Sequence, residues 1–192
     1  MTIHRPDVTI MPFNGKIPQI DDSAFIAPGC RIIGDVTIGA EASIWYNCVI
    51  RGDANRVVIG ARSNIQDGSV VHCDHASPHA PNGYPALIGD DVLIGHMAMV
   101  HGCTIKNNGF VGLGAIVMNG CTIESHGMLG AGALLPEGKS IGERELWVGR
   151  PAKMVRTLDD AALAVIGLGI PGYVENAKAH KKVVAEHFSD TG

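Results

Sequence analysis

Residues 19–52 read QIDDSAFIAPGCRIIGDVTIGAEASIWYNCVIRG, placing Ile20, Ile26, Ile32, Ile38, Ile44 and Ile50 at a strict spacing of six. The series resumes after an insertion at Ile59, Ile65 and Val71, and after a longer loop at Ile88, Ile94 and Val100. One residue short, it then runs through Ile105, Val111, Val117, Ile123, Leu129, Leu135 and Ile141. Glycine often follows the aliphatic residue, as at Gly39, Gly60, Gly89, Gly95, Gly112, Gly130 and Gly142. Small residues recur two places before it, as Ala24, Val36, Ala42, Ser63 and Val92 do.

A period of six fits neither a helix nor a plain alternating strand. It fits a short strand segment, a corner that tolerates glycine, and another strand segment. Three segments close a triangular coil of about eighteen residues whose aliphatic side chains point to the axis. The nineteen aliphatic positions predict about six coils, stacked as a parallel β-helix with a continuous aliphatic column. A β-sandwich is the competing reading, but it requires scattered spacings and hairpin turns, and the sequence has neither. The spacing predicts an all-β solenoid over 1–156. The general preference of parallel crossovers is for the right hand, and nothing in the spacing overrides it.

The character changes after Arg156. Thr157-Leu158-Asp159-Asp160 predicts a helix start with Thr157 as N-cap and an acidic first turn. Gly167, Gly169 and Pro171-Gly172 interrupt the pattern, and a second helical stretch follows from about Tyr173 to Phe188. The 157–192 segment is expected to pack along the coils or on a neighbouring subunit, since a solenoid needs its open end or sides covered.

Composition bounds the function. With a net charge of -4 the chain has no basic footprint for nucleic acid or an anionic membrane. Five cysteines, odd in number and without a CxxC pair, argue for reduced thiols in a cytoplasm rather than a disulfide framework. The N-terminal stretch MTIHRPDVTI has no apolar region of the kind a signal peptide carries. The longest apolar run, Ala161 to Ile170, is about half a membrane span.

Three of the histidines stand directly beside column positions in the middle of the solenoid. His72 follows Val71, His96 lies two after Ile94, and His101 follows Val100. Imidazole is the favoured nitrogen ligand of zinc, so the cluster suggests a metal site. Partly buried histidines with satisfied hydrogen bonds, or one catalytic base among bystanders, fit the spacing too. Zinc–nitrogen bonds of about 2.1 Å hold ligand atoms only about 3.5 Å apart, whereas five residues of strand span roughly 16 Å. A site shared between subunits, most simply in a cyclic trimer, would reconcile the two.

The chain resembles the γ-class carbonic anhydrases and their relatives over nearly its whole length. The matching stretches are Ile44-Trp45-Tyr46-Asn47, Val49-Ile50-Arg51-Gly52-Asp53, Asn64-Ile65-Gln66-Asp67, Ile94-Gly95-His96 and Val100-His101-Gly102-Cys103-Thr104-Ile105. Val148-Gly149-Arg150-Pro151-Ala152-Lys153 is shared with many hexapeptide acyltransferases and does not discriminate. The resemblance implies a left-handed helix and a homotrimer with metal sites at its subunit interfaces. It makes His72, His96 and His101 ligands of zinc, or of iron or cobalt, with His96 crossing from a neighbouring subunit. Arg51 and Asp53 match an intersubunit ion pair near the site, Asn64 and Gln66 match residues around metal-bound solvent, and Asp67 matches an interface site residue. Tyr173 matches a tyrosine that the tail brings near the pocket. Arg51–Asp53 fits a purely assembly contact equally well, and Asn64 could simply cap a corner.

The implied reaction is attack of metal-bound hydroxide on carbon dioxide to give bicarbonate. The sequence departs from the family pattern where protons should leave. Ala54 follows Asp53 where a glutamate is expected, and the Cys73–Ala86 loop has Asp74 but no glutamate. His75 and His79 in that loop are shuttle candidates or merely solvated. The competing functions are metal-dependent hydrolysis of an acyl-CoA thioester, acyl transfer by a lone histidine, and non-catalytic metal binding.

Overall fold

The six-residue spacing becomes three columns of side chains in the computed structural model, which describes residues 7–167 and 169–189. Residues 1–6, six of the ten in the N-terminal stretch read above, and 190–192 of the tail lie outside the described residues. On the first facet Ile26, Ile44, Ile65, Ile94, Val111, Leu129 and Trp147 stand in register on parallel strands. The second facet carries Ile10, Ile32, Ile50, Val71, Val100, Val117 and Leu135. The third carries Ile20, Ile38, Ile59, Ile88, Ile105, Ile123 and Ile141. Most strands are two residues long, such as Phe25–Ile26 and Leu93–Ile94.

Each column has seven levels where about six coils were expected. The first facet gains its last level from Trp147, six places after Ile141, whose ring packs on the end of the column. A count of aliphatic residues stops short of it. Strand Lys153–Thr157 then turns back antiparallel on Glu145–Val148 and ends the parallel stacking. Column residues such as Ile32, Ile65 and Ile94 have no solvent exposure, and burying each stabilises the fold by about 1.5–3 kcal/mol.

The corners work differently from the expectation. Glu41, Asn47, Arg62, Asp91, Met97, Asn108, His126 and Arg144 have φ of 55–62°, and each stands three places after a column residue. The glycine directly after the column residue instead permits close stacking. A Cβ on Gly60 would lie 2.4 Å from the Gly89 backbone one turn away.

The coils wind left-handed, as the resemblance implies. The right-handed rule rests on strands joined by a helix that packs back on the sheet, and these corners contain none. The breaks in the spacing fall at one place: Ile10 to Ile20 at the start of the solenoid, and three more in its middle. Ile50 to Ile59, Val71 to Ile88 and Val100 to Ile105 each connect the second facet to the third, on successive turns.

The tail corrects the expected helix start. Thr157 ends a strand, and helix α1 runs Asp160–Gly167. The Asp159 carboxylate accepts from the Ala162 amide at 2.8 Å, so Asp159 serves as the cap, because the preceding strand is pinned by Leu158 N–H to Arg144 O. Helix α2 spans Gly169–Ser189, starting four residues before Tyr173, with Pro171 tolerated in its first turn. It lies on the first facet. Ala177 is buried there, Lys181 Nζ donates to Asp22 O at 2.6 Å, and Tyr46 Oη meets His180 Nδ1 at 2.8 Å. Among the described residues no helix is long and apolar enough to cross a membrane. All five cysteines are buried and free.

Candidate metal centre

Arg51, His72 and His101 each follow a second-facet column residue, so parallel register stacks them on successive turns. The spacing break from Ile50 to Ile59 adds residues between Gly52 and Val57, and this bulge carries Asp53 back towards the stack. Asp53 Oδ1 lies 2.9 Å from His72 Nε2, and Oδ2 pairs with Arg51 Nη1 at 2.5 Å. Burial pushes the Asp53 carboxyl up, but the hydrogen bonds from His72 and Arg51 outweigh it and hold the group below its usual range. Burial likewise holds His72 below its ordinary value; Asp53 opposes this, while Arg51 and His101 add to it. A neutral His72 that gives its Nε2 proton to a carboxylate presents a lone pair at Nδ1. That nitrogen lies 2.9 Å from His101 Nε2. His101 is anchored on its other side, with Nδ1 2.7 Å from Asn119 Oδ1.

His96 sits one facet away, at the corner between the first and second facets. Its Nδ1 pairs with Asp67 Oδ2 at 2.7 Å, and its side chain is 43% exposed. Asn64 and Gln66 flank Ile65 on the first facet and are buried. Asn64 Nδ2 donates to Ser43 Oγ at 2.9 Å, while its buried Oδ1 has no partner among the described residues. Next to His96, Met97 holds φ of 58° and is 71% exposed, an uncommon conformation for a residue of this kind.

The nine candidate residues therefore sort into two groups and one outlier. Arg51, Asp53, His72 and His101 meet at one corner. Asn64, Gln66, Asp67 and His96 gather at and beside the other. Tyr173, on α2, packs edge-on against Trp45 with ring centroids 6.0 Å apart, on the row of the first facet that also holds Gln66. Among the described residues of one chain, no three His, Cys, Asp or Glu side chains come together as a metal site would need. The facing pair nonetheless has the right donors. Two imidazole nitrogens at 2.9 Å are close to the roughly 3.4 Å that separates two ligands on tetrahedral zinc, and imidazole suits iron and cobalt as well.

His75 and His79 are exposed on the 73–86 loop, and Ala54 packs against the core. Sequence reasoning missed Asn119. The signal was available, because counting on from Val117 places Asn119 at the corner directly below His101, where Gly120 N–H bonds Gly102 O at 2.8 Å.

Residues 18–52 match the family described as bacterial transferase hexapeptide (six repeats). The chain is 42% identical over 180 residues to the carbonic anhydrase of Geobacillus kaustophilus, covering 94% of this chain and 95% of that protein. It is 44% identical over 172 residues to γ carbonic anhydrase 1, mitochondrial, of Arabidopsis thaliana, covering 90% of this chain; it spans 62% of the plant protein's length. A solved structure of a hexapeptide transferase family protein from Anaplasma phagocytophilum superposes with a TM-score of 0.83 at 40% identity, covering 91% of this chain and 99% of that one. With the hexapeptide columns and the histidine corners on one chain, and a match across nearly the full length of the Geobacillus protein, the chain belongs to the γ-class carbonic anhydrase family.

Proposed function

We propose that the chain is a carbonic anhydrase that hydrates carbon dioxide to bicarbonate at a divalent metal, zinc or else iron or cobalt. His72 and His101 of one subunit and His96 of the next would hold the metal in a homotrimer. One observation carries this reading. Each of the three histidines has one ring nitrogen against an oxygen acceptor, Asp53, Asn119 or Asp67, at 2.7–2.9 Å. That arrangement orients imidazole ligands and leaves the other nitrogen for a metal. An ordinary satisfied histidine can share that contact; what sets His72 and His101 apart is that their remaining nitrogens face each other at 2.9 Å.

The surface between the two corners supports the assembly. Val49, Val70, Met99, Ile116 and Leu134 line up in register on the outer side of the second facet. Met97 and Leu113 stand exposed at its edge. A contact that joins one corner to the other corner of a copy is head-to-tail, and three such contacts close a ring. Burial of this facet would bring Asp67, Gln66 and His96 to the His72–His101 pair. Five free thiols, all buried, fit a cytoplasmic setting.

When bound, the metal would supply a water ionised near neutral pH and therefore nucleophilic towards carbon dioxide. Arg51 and Asp53 hold His72 in place, and their opposite charges keep the corner near neutral. The Gln66 carboxamide, buried and making no side-chain hydrogen bond among the described residues, is free to orient solvent or product. Protons would leave along the 73–86 loop beside the His72–His101 corner, where His75 and His79 are exposed carriers.

Stopped-flow carbon dioxide hydration on zinc-loaded protein tests this, with iron and cobalt loaded anaerobically in parallel and His101→Ala alongside. The expected result is hydration that the variant loses. Absence of hydration with all three metals bound, accompanied by hydrolysis of acyl-CoA thioesters, would replace the reading with the thioesterase.

A further inference from the structure

We propose that Asn119 and Asp74 are a positioning pair that sets the tautomer of His101 and ties the 73–86 loop to the metal site. The inference rests on His101 being a metal ligand. Asn119 Nδ2 donates to Asp74 Oδ2 at 3.1 Å. A carboxylate accepts and does not donate, so the amide of Asn119 must turn its NH2 to Asp74 and its oxygen to His101. At 2.7 Å that oxygen takes the Nδ1 proton of His101, and Nε2 is left with a lone pair facing His72 Nδ1.

The opposite orientation of the amide would have the opposite consequence. An NH2 facing His101 needs a lone pair on Nδ1, which moves the ring proton to Nε2. That proton would then be donated to His72 Nδ1, 2.9 Å away, and an internal hydrogen bond would occupy both ligand nitrogens. Asp74 thus selects between a corner open to metal and a corner closed on itself.

The loop is built to hold Asp74 still. Asp74 and Tyr84 exchange backbone hydrogen bonds of 2.9 Å in both directions. Asn55, in the Asp53 bulge, donates its Nδ2 to Asp74 O at 3.1 Å and to Asn82 O at 2.9 Å. Gly83 permits this closure, since a Cβ there would stand 2.4 Å from Asp74 O. Tyr84 lies over the adjoining corners, where a Cβ on Gly102 would meet its own Cβ at 2.7 Å. The bulge carrying Asp53 and the loop carrying Asp74 are therefore clamped to each other, one anchoring His72 and the other, through Asn119, anchoring His101.

The test measures zinc affinity by competition with a chromophoric chelator and records the visible spectrum of the cobalt-loaded protein. The proteins are the unaltered chain, Asn119→Leu, Asp74→Asn, and the double variant Asn119→Asp with Asp74→Asn. Asn119→Leu keeps the branched outline and removes the acceptor, and is expected to weaken zinc binding about 10- to 100-fold. Asp74→Asn frees the amide to turn and should weaken binding less. The double variant reverses the donor and acceptor between positions 119 and 74 while keeping an acceptor for His101, and should recover most of the affinity and the cobalt spectrum. A merely structural role would not predict that recovery. Zinc binding by both single variants as tight as the unaltered chain, or a double variant no better than Asn119→Leu, overturns the pair. His101→Ala separates the two levels of the argument. If it too binds zinc like the unaltered chain, the ligand assignment itself is wrong and the pair falls with it.

Discussion

The turns from Ile105 to Ile141 keep the six-residue spacing without exception, whereas the three turns before them break it each time at the corner between the second and third facets. In the regular turns that corner is a short link such as Met118-Asn119-Gly120. In the broken turns it holds Asp53, the 73–86 loop, and the shortened link after His101. The columns are undisturbed by this, since Ile59 still pairs with Ile38 on one side and Ile88 on the other. A solenoid is constrained at its axis and free at its corners, so added residues there leave the core intact. The comparison teaches where to look for chemistry on such a fold. The His72–His101 half of the proposed site lies where the repeat fails, at the same corner on consecutive turns, while His96 and Asp67 stand at a corner that keeps the spacing.

Breaking the assembly should have the largest effect. Met99→Glu puts a charge in the middle of the apolar second facet and should yield monomers with no metal bound and no hydration. Sedimentation velocity with metal analysis on the same fractions checks this, and a metal-bound monomer would contradict the shared site.

Ile123→Ala, in the regular turns, should lower stability by about 2–5 kcal/mol yet leave hydration unchanged in the protein that remains folded. Urea unfolding beside a hydration assay reads both quantities.

Asp53→Asn, in the broken turns, should do the reverse. Zinc affinity should drop about 10- to 100-fold, with a smaller fall in the unfolding midpoint of the metal-free protein than Ile123→Ala produces.

The smallest effect concerns pH. Burial holds His72 below its ordinary value of 6.5, so the unfolded chain takes up that proton first. The metal-free protein should have this group's full contribution above about pH 6.5 and lose it as pH falls. Asp53, also held low, loses its contribution only below about pH 4. His72→Gln should therefore flatten the fall in unfolding midpoint between about pH 7 and pH 5; an unchanged slope would show that His72 is not the group responsible.

The solenoid was legible because every turn repeats the same packing requirement, and one aliphatic position per six residues states it plainly. Its end was not, because Trp147 meets the requirement with an aromatic ring. The helix start was misplaced at Thr157 because cap residues stand at both Thr157 and Asp159, and only the pairing of strand Lys153–Thr157 with Glu145–Val148 decides between them. The histidines declared themselves by being out of place beside core positions. Asn119 did not, since a single amide in a corner has many ordinary explanations until the turns are aligned. Nor does spacing alone reveal that Asp53 and Asp67 face particular ring nitrogens. That depends on a bulge at one corner and a neighbouring turn at the other.

The central claim is that two corners on different copies make one metal site, and mixing tests it most directly. His96→Ala keeps the His72–His101 corner, and His101→Ala keeps the His96 corner; neither should bind zinc at the site alone. Unfolded and refolded together, the two should form mixed oligomers in which an intact corner of one variant meets the intact corner of the other. The account predicts that the mixture regains zinc binding and hydration that neither variant has. A mixture that binds no more zinc than its separate components, while assembling normally, would contradict it.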